Sequence, residues 1–156
     1  MPYSAIKIAN ELLRLGREDN PSRGLTPLQL IKLVYIAHGW SFVYLPKPLL
    51  NERAEAWQYG PVVPSLYHSI KQYGSRSISS DIAGAVDPQE LSEDTKSFLK
   101  GIYNAYAKYS GVQLSNMTHM PNTPWSDAWN THGKNAVISD ESIKQHYKHL
   151  AATRAA

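Results

Sequence analysis

The sequence predicts a mainly α fold: a compact single-domain helical bundle around a buried central helix, with one small β-ribbon. Residues 26–44 are apolar on nearly every side and begin with an almost complete helix-start code. Several later stretches repeat an apolar stripe at helical spacing behind a capping residue of their own. Only Leu49-Leu50 and Ala54 to Tyr59 have the length and make-up of short strands, paired around an Asn51-Glu52-Arg53 turn.

The elements follow in order. A first helix is expected from Ser4 to Leu15, since Ala5, Ile8, Ala9, Leu12 and Leu13 form one stripe and Gly16 reads as its stop. The central helix starts at Thr26, a side chain able to cap, with Pro27 where no amide donor is needed and Gln29 at capping-box distance. Only Gln29, Lys32, His38, Gly39 and Ser41 interrupt its apolar residues, and Pro46 and Pro48 end it. A helix greasy on all sides belongs inside a protein or a membrane. Lys, Gln and His within about 20 residues argue for the protein interior.

Gly60 to Pro64 redirects the chain into a helical stripe of Leu66, Tyr67, Ile70 and Tyr73 that stops at Gly74. Ser75 to Val86 lacks periodicity and reads as a mobile or variable loop. Asp87-Pro88-Gln89-Glu90 repeats a cap, proline and acid pattern before a long helix from Ser92 to Tyr109, with Phe98, Leu99, Ile102, Tyr103, Tyr106 and Tyr109 on its inner face. Ser110 with Gln113 caps a short helix to Thr118, and Thr123-Pro124 caps another that carries Trp125 and Trp129. Ser139 begins the last, with Ile143, Tyr147 and Leu150 on one face ahead of an Ala-rich tail.

Composition excludes several classes. The 156 residues contain no cysteine, which rules out disulfides, thiolate metal sites and a cysteine nucleophile, and fits a reducing, cytoplasmic setting. The N-terminus has no uninterrupted apolar core of a signal peptide. The net charge of +3 is scattered among acidic residues, so neither nucleic acid nor a membrane surface is indicated. Ten Tyr and four Trp against two Phe suit surfaces that are part core and part contact.

Candidate chemistry is sparse, and no catalytic, cofactor or metal site is expected. His146 and His149, spaced i, i+3, would be the start of a metal-dependent hydrolase, but no HExxH pattern supports them. His38 reads first as a buried histidine bonded to neighbouring backbone or a Tyr hydroxyl. His119 either closes a helix C-terminus or faces a partner. Asp127 and the Glu90, Glu93, Asp94 group lie where helix dipoles alone would place acids. Trp57, Tyr59, Gly60, Pro61 and Val62 form an apolar corner that either packs on the central helix or is a partner surface held rigid by its prolines.

The runs LTPLQLIKLVYIAHGW, KPLL, EAWQYGPVVPSLYHSIKQYG, LSNMTH and the PW at 124–125 resemble, in order and spacing, the Panacea-domain family of SocA-like antitoxins and phage-associated proteins. The resemblance implies one domain over 1–156, with its core at 4–150 and a short tail at 151–156. It implies a prophage or bacterial toxin–antitoxin protein that neutralises a cognate toxin encoded nearby by direct binding. The alternative it carries is an adaptor that delivers the toxin to an AAA+ protease. Trp57, Tyr59, Pro61, Val62, Tyr67, His119 and Trp125 are then the expected partner-binding residues. Thr26, His38, Gly39, Trp40, Gly60, Thr118 and Pro124 are expected to be structural motif positions. No appended DNA-binding domain is expected, which puts operon autoregulation in doubt, while the Ala155-Ala156 end is expected to affect turnover.

Overall fold

Thr26 sets the start of the central helix as its residue type demands. Its hydroxyl accepts the Gln29 amide at 3.3 Å while the Gln29 side chain accepts the Thr26 amide at 3.0 Å, so two otherwise orphaned donors are satisfied together. The computed structural model, which describes residues 2–83 and 87–155, places seven helices and a small sheet around this element. They are α1 (Ala5–Asp19), α2 (Pro27–Tyr44), β1 (Ala54–Trp57), β2 (Gly60–Val62), α3 (Pro64–Ile70), α4 (Glu93–Tyr106), α5 (Gly111–Thr118), α6 (Pro124–His132), β3 (Ala136–Ile138) and α7 (Asp140–Ala155). Among the described residues no helix is long and apolar enough to cross a membrane.

Every residue of α2 from Leu30 to Phe42 is buried. Around it pack α1, α3, α4, α5, α7 and β2, which is how a helix without a polar face becomes stable in water. Its polar groups must then find partners inside the protein. The Trp40 indole donates to the Tyr106 hydroxyl at 2.8 Å, and Ser41 donates to the carbonyl of His38 at 2.6 Å. His38 accepts the Leu50 amide on Nδ1, so its proton sits on Nε2, from which it donates to Asp140 at 2.9 Å. One imidazole thereby ties α2 to the segment after it and to the first turn of α7. Beside it, a Cβ on Gly39 would stand 2.2 Å from the Tyr147 ring, so α7 reaches α2 only because residue 39 has no side chain.

Several elements differ from the sequence expectation. Gly16 is not a stop: it lies buried within α1, which runs on to Asp19. Leu49-Leu50 does not pair with Ala54–Trp57; Leu50 instead forms a lone parallel bridge with Tyr3, and Asn51 to Arg53 is no hairpin turn. The partners of β1 are β2 and β3, both antiparallel, in the order β2-β1-β3. β2 is the stretch read as a corner, and β3 comes from 136–138, far along the chain. Asp87 does not cap α4. Its carboxylate accepts the Ser4 amide at 2.9 Å, at the entry to α1, and Ser92 caps α4.

The segment read as a mobile loop is irregular but stitched down. The Ile78 amide donates to the Leu25 carbonyl at 2.8 Å, the Asn10 side chain brackets the Ile82 backbone, and both isoleucines are buried. Residues 84–86 of that segment lie outside the described residues, as does Ala156. The Ala-rich tail through Ala155 continues α7 as helix.

Gly39→Ala is expected to lower the unfolding free energy by about 2–3 kcal/mol in a urea titration, through overpacking against Tyr147. In a Tyr147→Ala background the same change should cost less than about 1 kcal/mol, because the ring it meets is gone.

Candidate interaction surface

The β1–β2 turn is a two-residue connection, Gln58-Tyr59, that lacks the usual Asn-Gly or Asp-Gly turn pair and is held by its surroundings. Three helices each supply a donor to its backbone. Trp125 of α6 donates its indole N–H to the Trp57 carbonyl at 2.6 Å, Ser115 of α5 donates its hydroxyl to the Tyr59 carbonyl, and Lys32 of α2 donates to the Pro61 carbonyl at 2.9 Å. Gly60 stands at φ +117°, and a Cβ there would lie 2.9 Å from the Lys32 Nζ, so the position admits only glycine. The outcome is an immobilised turn whose Tyr59 side chain is 69% exposed.

Aromatic rings surround this knob. Trp57 is half-buried, meets Tyr67 of α3 edge-on at 4.9 Å, and donates its indole N–H to Glu55 at 3.0 Å. His119 forms the C-cap of α5, its backbone amide donating to the Ser115 carbonyl at 3.2 Å and its Nδ1–H donating to the same oxygen. The His119 ring abuts Trp125 at 5.3 Å, and Trp125 stacks on Trp129 at 5.2 Å. Pro61 and Val62 are buried and form the base of the patch, under its exposed rim. Thr118 is buried, its hydroxyl turned back onto the carbonyls of Leu114 and Ser115, and Pro124 sits in the first turn of α6 behind the Thr123 cap.

On one side of the turn lies a groove of about 470 Å³ between α2, the turn, α3 and the segment before β3. Its lining includes Leu28, Ile31, Trp57, Tyr67, Lys32 and Lys134. Lys32 is 1% exposed, and burial pushes its ammonium down from the ordinary 10.5 to about 7. Lys32 is not among the site residues expected from the sequence, although its signal is present there: a lone cation in an otherwise apolar helix has to be paired or neutralised. Ser115, Lys134 and Asn135 gave no such signal, because only the tertiary fold brings them to the turn.

Other candidates stay apart. His146 is half-buried, and its imidazole is held below the usual value by burial and by His149, with Asp127 acting the other way. Among the described residues no three His, Asp or Glu side chains gather where they could hold a metal ion. Glu93 and Asp94 occupy the exposed first turn of α4.

By fold and surface, this is a small helical domain built on one enclosed helix and presenting a braced aromatic turn. Residues 30–126, from inside α2 to the third residue of α6, match the family model described as antitoxin SocA-like, Panacea domain. The chain is also 30% identical over 155 residues to Antitoxin SocA of Caulobacter vibrioides (strain NA1000 / CB15N), an alignment covering 90% of this chain and 80% of that protein. The chain belongs to the SocA-like antitoxin, Panacea-domain family. No solved structure matches it.

The desolvated amine has a measurable consequence. Between about pH 7 and the ordinary 10.5 the unfolded chain binds the Lys32 proton and the folded chain releases it, so stability rises with pH across that window. Lys32→Met removes this dependence. In urea unfolding, the stability of the variant relative to the natural chain should be most favourable near pH 7 and fall by several kcal/mol toward about pH 10. A difference that stays constant with pH would show that Lys32 is not desolvated.

Proposed function

We propose that the protein is a cytoplasmic antitoxin that neutralises a toxin encoded beside it by holding it in a direct complex. We place the contact on Trp57, Tyr59, Tyr67, His119 and Trp125, with Pro61 and Val62 as the base beneath them, in a domain spanning about 4–150. One observation carries this reading: a Tyr that is 69% exposed stands on a turn whose backbone is fastened by donors from three helices. A large aromatic left in water on a rigid support loses little entropy when a partner covers it. The family of the relative, an antitoxin by name, supports the same reading.

The test is co-expression with the neighbouring gene. The natural chain should restore growth and co-purify with that gene's product, in a host lacking AAA+ proteases as well as in the parent strain. Rescue that vanishes in the protease-deficient host would replace direct neutralisation with delivery for degradation. Tyr59→Ala should leave the circular dichroism spectrum and the unfolding midpoint unchanged while weakening the complex by about 2 kcal/mol, roughly thirtyfold in Kd. Undiminished affinity in that variant would remove the turn from the interface.

A further inference from the structure

The groove beside Tyr59 has a charge character that the antitoxin reading alone does not require. Among the described residues its lining holds two ammonium-bearing side chains, Lys32 and Lys134, and no carboxylate. Lys134 is exposed at the rim. Lys32 lies deeper, and its acceptor among the described residues is a single backbone oxygen, that of Pro61. An ammonium group has three donors, so the demand of this one is only partly met. Among the described residues no carboxylate forms an ion pair with it. Glu55, whose carboxylate accepts the Trp57 indole N–H, lies outside the groove lining, and across Gly60 stand the Thr118 hydroxyl and the His119 imidazole, both committed to carbonyls of α5. Tyr59 and Tyr67 complete the wall with their rings. Between the cations lies apolar surface from Leu28, Ile31 and the Trp57 and Tyr67 rings.

We propose that this groove receives an acidic segment of the partner protein, setting a carboxylate against Lys134 and Lys32 with an apolar or aromatic group packed between Trp57 and Tyr67. The proposal rests on the antitoxin reading for the identity of the partner, and on the groove's own chemistry for what enters it. A carboxylate there returns to Lys32 the counter-charge that burial withholds, and the positive net charge of the chain steers an acidic partner toward it. Binding is therefore linked to a proton. Below about pH 7 the amine is already charged and affinity is flat. Above it, complex formation takes up a proton, and affinity falls by up to tenfold per pH unit.

Two measurements on the full chain test this. The first uses 3-phenylpropionate as probe and 3-phenylpropanol as its uncharged control, followed at the Trp57 indole N–H by NMR. The acid should bind more tightly than the alcohol. Lys134→Glu, which alters only an exposed side chain, should reduce acid binding at least tenfold, whereas Lys148→Glu on α7 should not. Lys32→Met should also weaken it and remove its pH dependence. Equal binding of acid and alcohol, or no effect of Lys134→Glu, would overturn the inference. The second measures affinity for the product of the neighbouring gene with the same variants. A neighbour that fails to bind, while the acid still does, sinks the antitoxin reading and leaves the groove's chemistry standing. A neighbour that binds the natural chain and Lys134→Glu equally sinks the inference and leaves the antitoxin reading standing.

Discussion

Enclosure of α2 is the constraint on which the rest of the structure depends. Thirteen consecutive residues, Leu30 to Phe42, have no face left for water, so α1, α3, α4, α5, α7 and β2 must each cover part of that helix. Each polar atom carried by those residues must be matched inside. His38 answers this demand by bonding at both nitrogens, Trp40 by reaching Tyr106, and Lys32 by reaching the backbone of the β1–β2 turn. The Tyr35 hydroxyl is the exception, buried without a partner among the described residues. Enclosure therefore determines more than packing. It dictates which later segments must return, and where they must place a carboxylate, a hydroxyl or a carbonyl.

The braced aromatic turn is a by-product of the same demand. Lys32 needs an acceptor, and Pro61 supplies one only if the turn lies against α2. Ser115 and Trp125 then hold the remaining carbonyls of that turn from α5 and α6. Residues that read as one apolar corner thus divide into two roles. Gly60, Pro61 and Val62 face inward and let the backbone approach the amine, while Tyr59 faces water. Because the supports come from three separate helices, the position of Tyr59 is defined by the core and not by the loop that carries it.

How much of this was legible in the sequence follows from the range of each interaction. Caps act within three or four residues, so Thr26, Ser110 and Thr123 announced their helices, and the boundaries of α2, α5 and α6 fall close to where those residues place them. Strand pairing acts at a distance. β1 was visible, but its pairing with β3 joins Ala54 to Ile138, and its hairpin with β2 contains a proline and no favoured turn pair, so the nearer Leu49-Leu50 stood in for it. Gly16 shows the same limit: whether a glycine stops a helix or lets Leu25 pack close beside it depends on a neighbour the local pattern cannot display. The aromatic residues that gather at the turn are legible in composition and motif, whereas the partner of Lys32 is known only from what lies against it.

The link from His38 to Asp140 spans 102 positions, and the contact of α7 with Gly39 lies across a similar distance. On the ribosome, α2 is therefore complete long before its last covering element exists. At about 5–20 residues per second, its flank waits some seconds in water as uncovered hydrocarbon. Throughout that interval the nascent chain has the character of a chaperone client, and closing so long a loop slows the final docking step once α7 emerges.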